Sequence, residues 1–245
     1  MFIISFFVEI CELCIVREVI KIQFSKRIFA ISSEVGYKTL ADIGTDHAYI
    51  PIQCFLSKDM RRAIACDINK SPLSRAKSNI EQYNLSDKIE TRLCNGLQGL
   101  RKNEVDSVTI GGMGGILIIE ILENGLEIVN SLKQLIIQPQ QNVDKVRKYI
   151  HSINLKIVNE KMIIEDNKFY NIITCENTEY PQSNYTEIDY LFGKLLIDEK
   201  NDILKQFVKL KLEKMLKIKN QIGKNSKSEY NNTLQKMYEE VLNCL

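Results

Sequence analysis

The chain has 245 residues, of which 44% are hydrophobic and 26% are charged, and its formal net charge is +2. These values exclude a disordered chain or a fibrous repeat, and the length suits one large domain or one domain with an appendage. Two histidines exclude a His-rich metal centre, and seven scattered cysteines indicate reduced thiols in a cytoplasmic protein. Cys11 and Cys14 have the CxxC spacing but no second pair. We therefore expect no metal.

The first residues, MFIISFFV, are apolar, but charged residues follow from Glu9 onward. This run is far shorter than the roughly 20 residues of a membrane-spanning helix, and no basic region precedes it as in a signal peptide. We expect no membrane association, and we interpret residues 1–24 as an N-terminal extension that is dispensable for activity.

Short β-branched runs alternate with helical stretches from Lys38 onward, as is typical of βαβ units around a parallel sheet. The predicted strands cover residues 39–43, 63–68, 88–94, 105–110 and 135–138. The predicted helices cover residues 72–83, 115–129 and 143–153, with Ser71 as N-cap of the first and Pro72 as its first residue. Segments 155–164 and 170–175 flank a turn and predict an antiparallel hairpin at the sheet edge. This plan resembles the Rossmann-like fold of class I methyltransferases.

After residue 185, apolar residues recur at helical spacing. The recurring positions are Leu204, Val208, Met215, Ile218 and Ile222, then Tyr230, Leu234, Met237, Val241 and Leu245. The segment GKNSKS (223–228) between them predicts a turn, so residues 186–245 are expected to form an α-helical hairpin or coiled-coil domain. From Lys194 onward there are 11 lysines against 7 acidic residues, which makes this appendage basic.

Three candidate ligand-binding positions follow predicted strands. Gly44 lies in DIGTDHAYIP (42–51) after the first strand, Asp67 ends the second, and Asn95 follows the third. Ligands bind at the carboxyl ends of parallel strands, where a glycine admits the ligand and an acidic residue about 20 positions later accepts hydrogen bonds from ribose hydroxyls. Because GxGxxG is absent, the first segment alone is compatible with a nucleotide site or with an ordinary strand-to-helix turn.

Four of the chain's eleven glycines lie in Gly111-Gly112-Met113-Gly114-Gly115, after the fourth predicted strand. Backbone N–H groups at such a helix start can hold a polar ligand. Tight packing of helix against strand is the alternative interpretation, and the two can coexist.

Together these segments resemble the bacterial tRNA (adenine(22)-N(1))-methyltransferase family, TrmK. The matching stretches span about 150 residues in order: Ser25-Lys26-Arg27, ADIGTDHAYIP (41–51), CDINKSPLSRA (66–76), CNGL (94–97), IGGMGG (110–115), LIIQP (135–139) and KFYNIITCE (168–176). The chain departs from the family pattern at Asn95, where Asp is usual, and in residues 1 to about 20, which precede the usual start.

The resemblance implies a methyltransferase domain over residues 25–185, S-adenosyl-L-methionine as cofactor, tRNA as substrate and a tRNA-binding appendage over residues 186–245, in a protein expected to be a monomer. The implied cofactor-binding residues are Asp42, Gly44, Asp67, Ile68, Asn95, Gly96, Gly111, Gly112 and Met113. The implied catalytic residues are Asp46, His47 and Tyr49. The residues expected to meet tRNA phosphates are Lys26, Arg27, Lys209, Lys211, Lys214 and Lys217.

Ring nitrogen 1 of adenine carries a lone pair on the Watson–Crick edge, so the base must leave its stem before it can be methylated. Tyr49 is expected to stack on it, and Asp46 and His47 to hold the exocyclic amine or accept its proton. A packed structural role is the alternative for His47, and a solvated face is the alternative for the tail lysines.

Two other functions compete with this hypothesis. A non-catalytic RNA-binding protein that keeps the fold is supported by Asn95 alone and is opposed by Asp67 and IGGMGG. A nicotinamide-dependent dehydrogenase fits the βαβ pattern but lacks GxGxxG.

Overall fold

A computed structural model describes residues 24–177, 184–222 and 229–245. Most of the expected N-terminal extension, with Cys11 and Cys14, lies outside these ranges, as does the expected turn at 223–228. Within them, no helix is long and apolar enough to cross a membrane, and no cluster of three His, Cys, Asp or Glu residues could hold a metal ion.

A seven-stranded sheet forms the centre of the molecule. Its strands are β1 (Thr39–Ile43), β2 (Arg62–Asp67), β3 (Ile89–Leu93), β4 (Ser107–Met113), β5 (Gln134–Pro139), β6 (Leu155–Glu165) and β7 (Lys168–Asn177). The order is β3-β2-β1-β4-β5-β7-β6, with β1 to β5 parallel and β7 antiparallel to both its neighbours. The Rossmann-like sheet with an antiparallel terminal hairpin is therefore confirmed. Strand order reverses at β1 and β4, where open α/β sheets bind ligands.

Helices cover both faces of this sheet. They are α1 (Lys26–Glu34), α2 (Tyr49–Ser57), α3 (Lys70–Gln82), α4 (Gly115–Glu123), α5 (Leu126–Val129) and α6 (Val143–Ser152), with a 3₁₀ turn at Gly96–Gly99. Side chains alternate along a strand, so Leu40 joins the buried cluster with α1, α2 and α3, whereas Ala41 joins the cluster with α4 and α6. All residues of β1 and β5 are buried, as expected for central strands covered on both faces.

Three local predictions were wrong. Helix α3 begins at Lys70 with Asn69 as N-cap, so Pro72 is its third residue, where a missing N–H still costs no helical hydrogen bond. The single helix expected over 115–129 is interrupted by Gly125, where a Cβ atom would lie 2.4 Å from the Cβ of Leu97. Strand β4 continues to Met113, beyond its predicted end at residue 110.

The C-terminal part consists of α7 (Glu187–Phe192), α8 (Lys194–Asp198), α9 (Asp202–Ile222) and α10 (Glu229–Cys244). The two long helices confirm the expected C-terminal helical pair, and the two short helices were not predicted. A third buried cluster joins these helices to Met162 of β6, with the Phe192 and Tyr238 ring centroids 4.8 Å apart. Ile218, expected on the apolar face, is 44% exposed instead.

A buried ion pair links the sheet to the first tail helices. Arg147 Nε of α6 donates to Glu160 Oε1 of β6 over 2.7 Å, and both side chains are 1% exposed. Arg147 also donates to the Tyr190 carbonyl over 2.8 Å, and Glu160 Oε2 accepts the Leu195 N–H over 3.2 Å. Between them, Gly193 has φ +94°, and a Cβ there would lie within 2.9 Å of both charged groups. The start of the tail is thus fixed by charge, not only by apolar packing.

Candidate active site

A cavity of about 590 Å³ lies at the carboxyl ends of β1, β4 and β5, with α1 as another wall. It brings together several predicted residues from separate segments. Those that line it are Arg27, Asp42, Gly44, Asp46, His47, Tyr49, Gly111 and Gly112. Phe24, Thr45, Gln138 and Gln140 also line it and were not predicted as site residues.

The turn after β1 exposes bare backbone to this cavity. Gly44 has φ +75°, and a Cβ there would lie 1.9 Å from Cε of Met113, so any side chain would be strained and would displace Met113. The N–H groups of Gly44 and Thr45 donate to the Cys66 carbonyl over 2.9 and 2.8 Å. The end of β2 therefore holds the turn in place.

Asp42 is the buried carboxyl group of the site. Its side chain accepts a 2.7 Å hydrogen bond from Thr109 Oγ1 on the neighbouring strand, and the residue is 4% exposed. Burial raises the pKa of Asp42 to about 6, because the charged form loses its hydration, and the Thr109 hydroxyl offsets only part of this effect.

The three predicted catalytic residues form one continuous group. Asp46 Oδ2 lies 3.3 Å from His47 Nε2, and the rings of His47 and Tyr49 stack with centroids 5.0 Å apart and planes inclined by 11°. Ala48, which lies between these two residues in sequence, has φ +56°, a strained conformation for a residue with a side chain. One face of Tyr49 is thus covered by His47, so an incoming base would meet a stacked pair instead of an isolated ring.

Gln138 connects the glycine segment of β4 to α1. Its side chain is buried at the end of β5, and Oε1 accepts the N–H of Gly112 over 3.1 Å and Arg27 over 3.5 Å. Gly112 has φ +78°, and the Arg27 guanidinium lies 5.5 Å from the centre of the Tyr170 ring. A buried polar residue that ends an apolar strand was the available signal for Gln138, since such groups are retained with hydrogen-bond partners.

Five predicted cofactor residues lie outside the cavity lining: four at the ends of β2 and β3, and Met113 at the end of β4. Asp67 is half-buried, and its Oδ1 accepts the Asn69 N–H over 2.7 Å. Ile68 is 61% exposed, Asn95 is exposed, and Gly96 has φ +56°. Because β1 to β4 are parallel, these residues occupy the same edge of the sheet as the cavity.

The predicted RNA-binding lysines do not line the cavity. Lys209, Lys211, Lys214 and Lys217 are exposed on α9, and Lys211 lies 5.4 Å from the centre of the Phe207 ring. Lys26 is exposed at the start of α1. Among the predicted cationic residues, Arg27 lines the cavity.

The sequence model of the tRNA (adenine(22)-N(1))-methyltransferase family, TrmK, matches residues 40–243. The chain belongs to this family. Over 216 residues it is 31% identical to the TrmK enzyme of Bacillus subtilis strain 168, an alignment that covers 86% of this chain and 90% of that protein.

Solved structures agree with the TrmK assignment. Streptococcus pneumoniae Sp1610 in complex with S-adenosyl-L-methionine has a TM-score of 0.82 and 32% identity, over 90% of this chain and 100% of that chain. M. capricolum TrmK in complex with S-adenosyl-homocysteine has a TM-score of 0.80 and 30% identity, over 90% of this chain and 98% of that chain.

As a TrmK member, the protein is an S-adenosylmethionine-dependent methyltransferase that acts on ring nitrogen 1 of adenine 22 in tRNA. The residues present fit this cofactor. Gly44 lines the cavity with a turn that carries no side chain and packs against Met113, and Asp67 offers a half-buried carboxylate at the end of β2. A bare turn and an acidic strand end are what an adenosyl group requires in this architecture.

Proposed function

We propose that the cavity receives adenine 22 after it has left its stem, and that the cofactor is held along the ends of β1, β2, β3 and β4. The observation that carries this proposal is the position of Asp46, His47 and Tyr49, which line the same cavity as the Gly44 turn. The groups proposed to bind the base would thereby lie beside the Gly44 turn of the proposed cofactor site, as methyl transfer requires.

The proposed cofactor site runs from Asp42 to Met113 along this edge. Asp67 would accept hydrogen bonds from the ribose hydroxyls, while the backbone at Gly112 leaves room for close approach. The other members are Asp42, Ile68, Asn95, Gly96, Gly111 and Met113. The amide of Asn95 can both donate to and accept from an adenine edge. The Asp that is usual in the family can only accept when it is ionised.

S-adenosylmethionine, when bound, supplies an electrophilic methyl group. The protein's own task is to orient the base so that ring nitrogen 1 faces this methyl group, and to exclude water. The stacked rings of His47 and Tyr49 provide a flat surface for a base, and Asp46 provides a carboxylate for the exocyclic amine. Asp46 and His47 are therefore the proposed polar catalytic groups, and Tyr49 is the proposed stacking residue.

We further propose that the protein binds tRNA as a monomer in the cytoplasm, with the α9 lysines and Lys26 contacting phosphates and Arg27 contacting a phosphate at the cavity. Support comes from the exposed positions of Lys209, Lys211, Lys214 and Lys217 on one helix. Phosphate contacts supply much of the affinity of nucleic-acid-binding proteins.

The non-catalytic alternative finds little support in the geometry. Asn95, which motivated it, is exposed and does not line the cavity. The departure from the family pattern therefore lies in the proposed cofactor site and leaves the cavity lining unchanged.

The decisive experiment combines labelled S-adenosylmethionine with unmodified tRNA, followed by nucleoside analysis. The wild type should form 1-methyladenosine at position 22. Asp46→Asn and His47→Ala should lower kcat by about 10² or more while cofactor affinity is retained. Asp67→Ala should instead weaken cofactor binding more than a hundredfold, about 3 kcal/mol, without loss of fold. Wild-type turnover by either first variant would remove that residue from the catalytic set, and unchanged calorimetric affinity in a folded Asp67→Ala would reject the ribose contact.

A further inference from the structure

Helix α3 lies beside the loop that carries Asp46 and His47, and two of its side chains contact that loop. Arg75 and Asn79 are four residues apart, so they project from the same face one turn from each other. Ala76 and Ile80, the residues that follow them, are buried at 0% and 2% exposure in the core. The core thus fixes the helix from which both contacts are made.

The contact of Asn79 determines which nitrogen of His47 carries the proton. Asn79 Nδ2 lies 3.0 Å from the His47 carbonyl oxygen, which can only accept, so the amide nitrogen of Asn79 must face it. The same nitrogen lies 3.5 Å from His47 Nδ1. An amide nitrogen donates and does not accept, so this contact favours the neutral tautomer in which Nδ1 accepts and Nε2 carries the proton.

That proton points at Asp46. His47 Nε2 lies 3.3 Å from Oδ2 of Asp46, while Oδ1 accepts from Arg75, with Nε at 3.2 Å and a closer contact from Nη2. Arg75 Nη1 also donates to Ser71 Oγ over 3.1 Å. Each oxygen of the Asp46 carboxylate is therefore held by its own donor, and lone pairs remain on both oxygens for a further donor.

We propose that Asp46, and not His47, is the group that accepts a hydrogen bond from the exocyclic amine, and that Asn79 is a positioning residue that selects the Nε2–H tautomer of His47. Arg75 is the second positioning residue, because it donates to the other oxygen of the Asp46 carboxylate and holds that side chain in place. This inference rests on the proposed function, since it takes the base to lie against this loop. His47 cannot be the acceptor, because its lone pair faces Asn79 and its opposite nitrogen carries the proton.

The chemistry favours a carboxylate at this position. Methylation at ring nitrogen 1 uses the lone pair of that nitrogen, so the base gains one positive charge, which is shared with the exocyclic nitrogen. Both amine protons stay on the base, and the hydrogen bond to Asp46 strengthens as the charge develops. An acceptor that is held in place before the reaction stabilises such a charge without reorganisation.

The first test reads the tautomer in the full-length protein without cofactor. The chain has two histidines, so long-range ¹H–¹⁵N spectra of the imidazoles are simple, and His47→Gln assigns the His47 signals. For the uncharged imidazole of the wild type we expect the Nε2–H pattern. Asn79→Asp places a group that only accepts against Nδ1, so this variant should lose the pattern in favour of a proton on Nδ1.

The second test is kinetic. Asn79→Asp should lower kcat on the order of 100-fold, with the tRNA KM and the cofactor affinity nearly unchanged. Asn79→Ser, whose hydroxyl can still donate, should have a kcat between those of Asn79→Asp and the wild type. It also replaces Asn79→Asp as the test variant if that protein does not fold. Glu81→Gln, at an exposed position on the same helix, is the matched control and should match the wild type in all three readouts.

The inference is overturned if Asn79→Asp keeps both the Nε2–H tautomer and the wild-type kcat, or if the wild type itself carries its proton on Nδ1. Its failure differs from failure of the proposed function, in which Asp46→Asn would turn over at the wild-type rate whatever the tautomer of His47.

Discussion

The cavity at the strand ends and the helical tail place their polar side chains in opposite ways. At the cavity, Asp42 and Gln138 are nearly inaccessible, and partners on neighbouring strands or helices hold each of them. On α9, Lys209 and Lys214 are exposed while Leu204 and Val208 are buried in the tail's own cluster. A site that must orient a base needs positions fixed by several segments, whereas a surface that meets phosphates needs only charge on a supported helix.

The buried pair of Arg147 and Glu160 links the sheet that carries the cavity to the first tail helices, and breaking it should have the largest effect. Glu160→Ala leaves an uncompensated buried guanidinium and releases the Leu195 N–H, so we expect a loss of about 3 to 5 kcal/mol in unfolding free energy, measured by urea denaturation. The exposed pair of Lys148 and Glu187, which joins α6 to α7, provides the control, and Lys148→Gln should cost no more than about 1 kcal/mol. Equal losses in the two variants would show that burial of the first pair is unimportant.

A second prediction sharpens the cavity side of the comparison. The pKa of Asp42 is about 6 in the folded protein, against 3.8 for an ordinary aspartate, so the folded state binds this proton more tightly than the unfolded state. The resulting stability is fully present below about pH 4 and is lost as the pH rises through about 6. The stability of Asp42→Asn relative to the wild type should therefore rise by about 2 kcal/mol between pH 4 and pH 7.

This change is measured by urea denaturation of the cofactor-free protein at several pH values. Asn keeps an acceptor for the Thr109 hydroxyl but cannot ionise, and Asp87→Asn, at an exposed position, is the control. A constant difference between Asp42→Asn and the wild type across this range would mean that Asp42 stays equally ionised in both states.

The smallest effect is expected on the tail. Replacing four α9 lysines with Gln should weaken tRNA binding by roughly tenfold, about 1.4 kcal/mol, and flatten the slope of log affinity against log salt by about 3. Cofactor affinity should stay the same. The altered positions are Lys209, Lys211, Lys214 and Lys217.

A control of equal charge change replaces four exposed lysines of the sheet domain: Lys77, Lys88, Lys102 and Lys156. If both sets change the salt slope equally, the tail has no special role and net charge alone explains the binding. If the α9 set leaves the slope unaltered, the RNA surface lies on the methyltransferase domain.

The order of the strands and the presence of α3, α4, α6, α9 and α10 could be predicted from the sequence, because each of these elements carries its own signal. Helices α1, α2, α7 and α8 were not predicted. Apolar runs, helical spacing and turn residues act within a few positions, so β1 was predicted with its observed limits and the terminal hairpin in its observed place. The error at Gly125 has a tertiary cause, because Leu97, distant in sequence, leaves no space there for a side chain.

The sequence by itself also determined which strand ends bear a glycine or an acidic residue. Gly44, Asp67 and Gly112 follow apolar runs that only a buried sheet explains. The sequence could not determine which of these residues line one cavity with Arg27. It also could not show that Gln138 joins α1 to β4, since Arg27 and Gln138 are 111 residues apart in the chain. The tautomer of His47 was likewise decided only by the tertiary structure. A proton's position on an imidazole depends on which atom faces each nitrogen, and Asn79 faces His47 only because the core fixes α3 beside the loop.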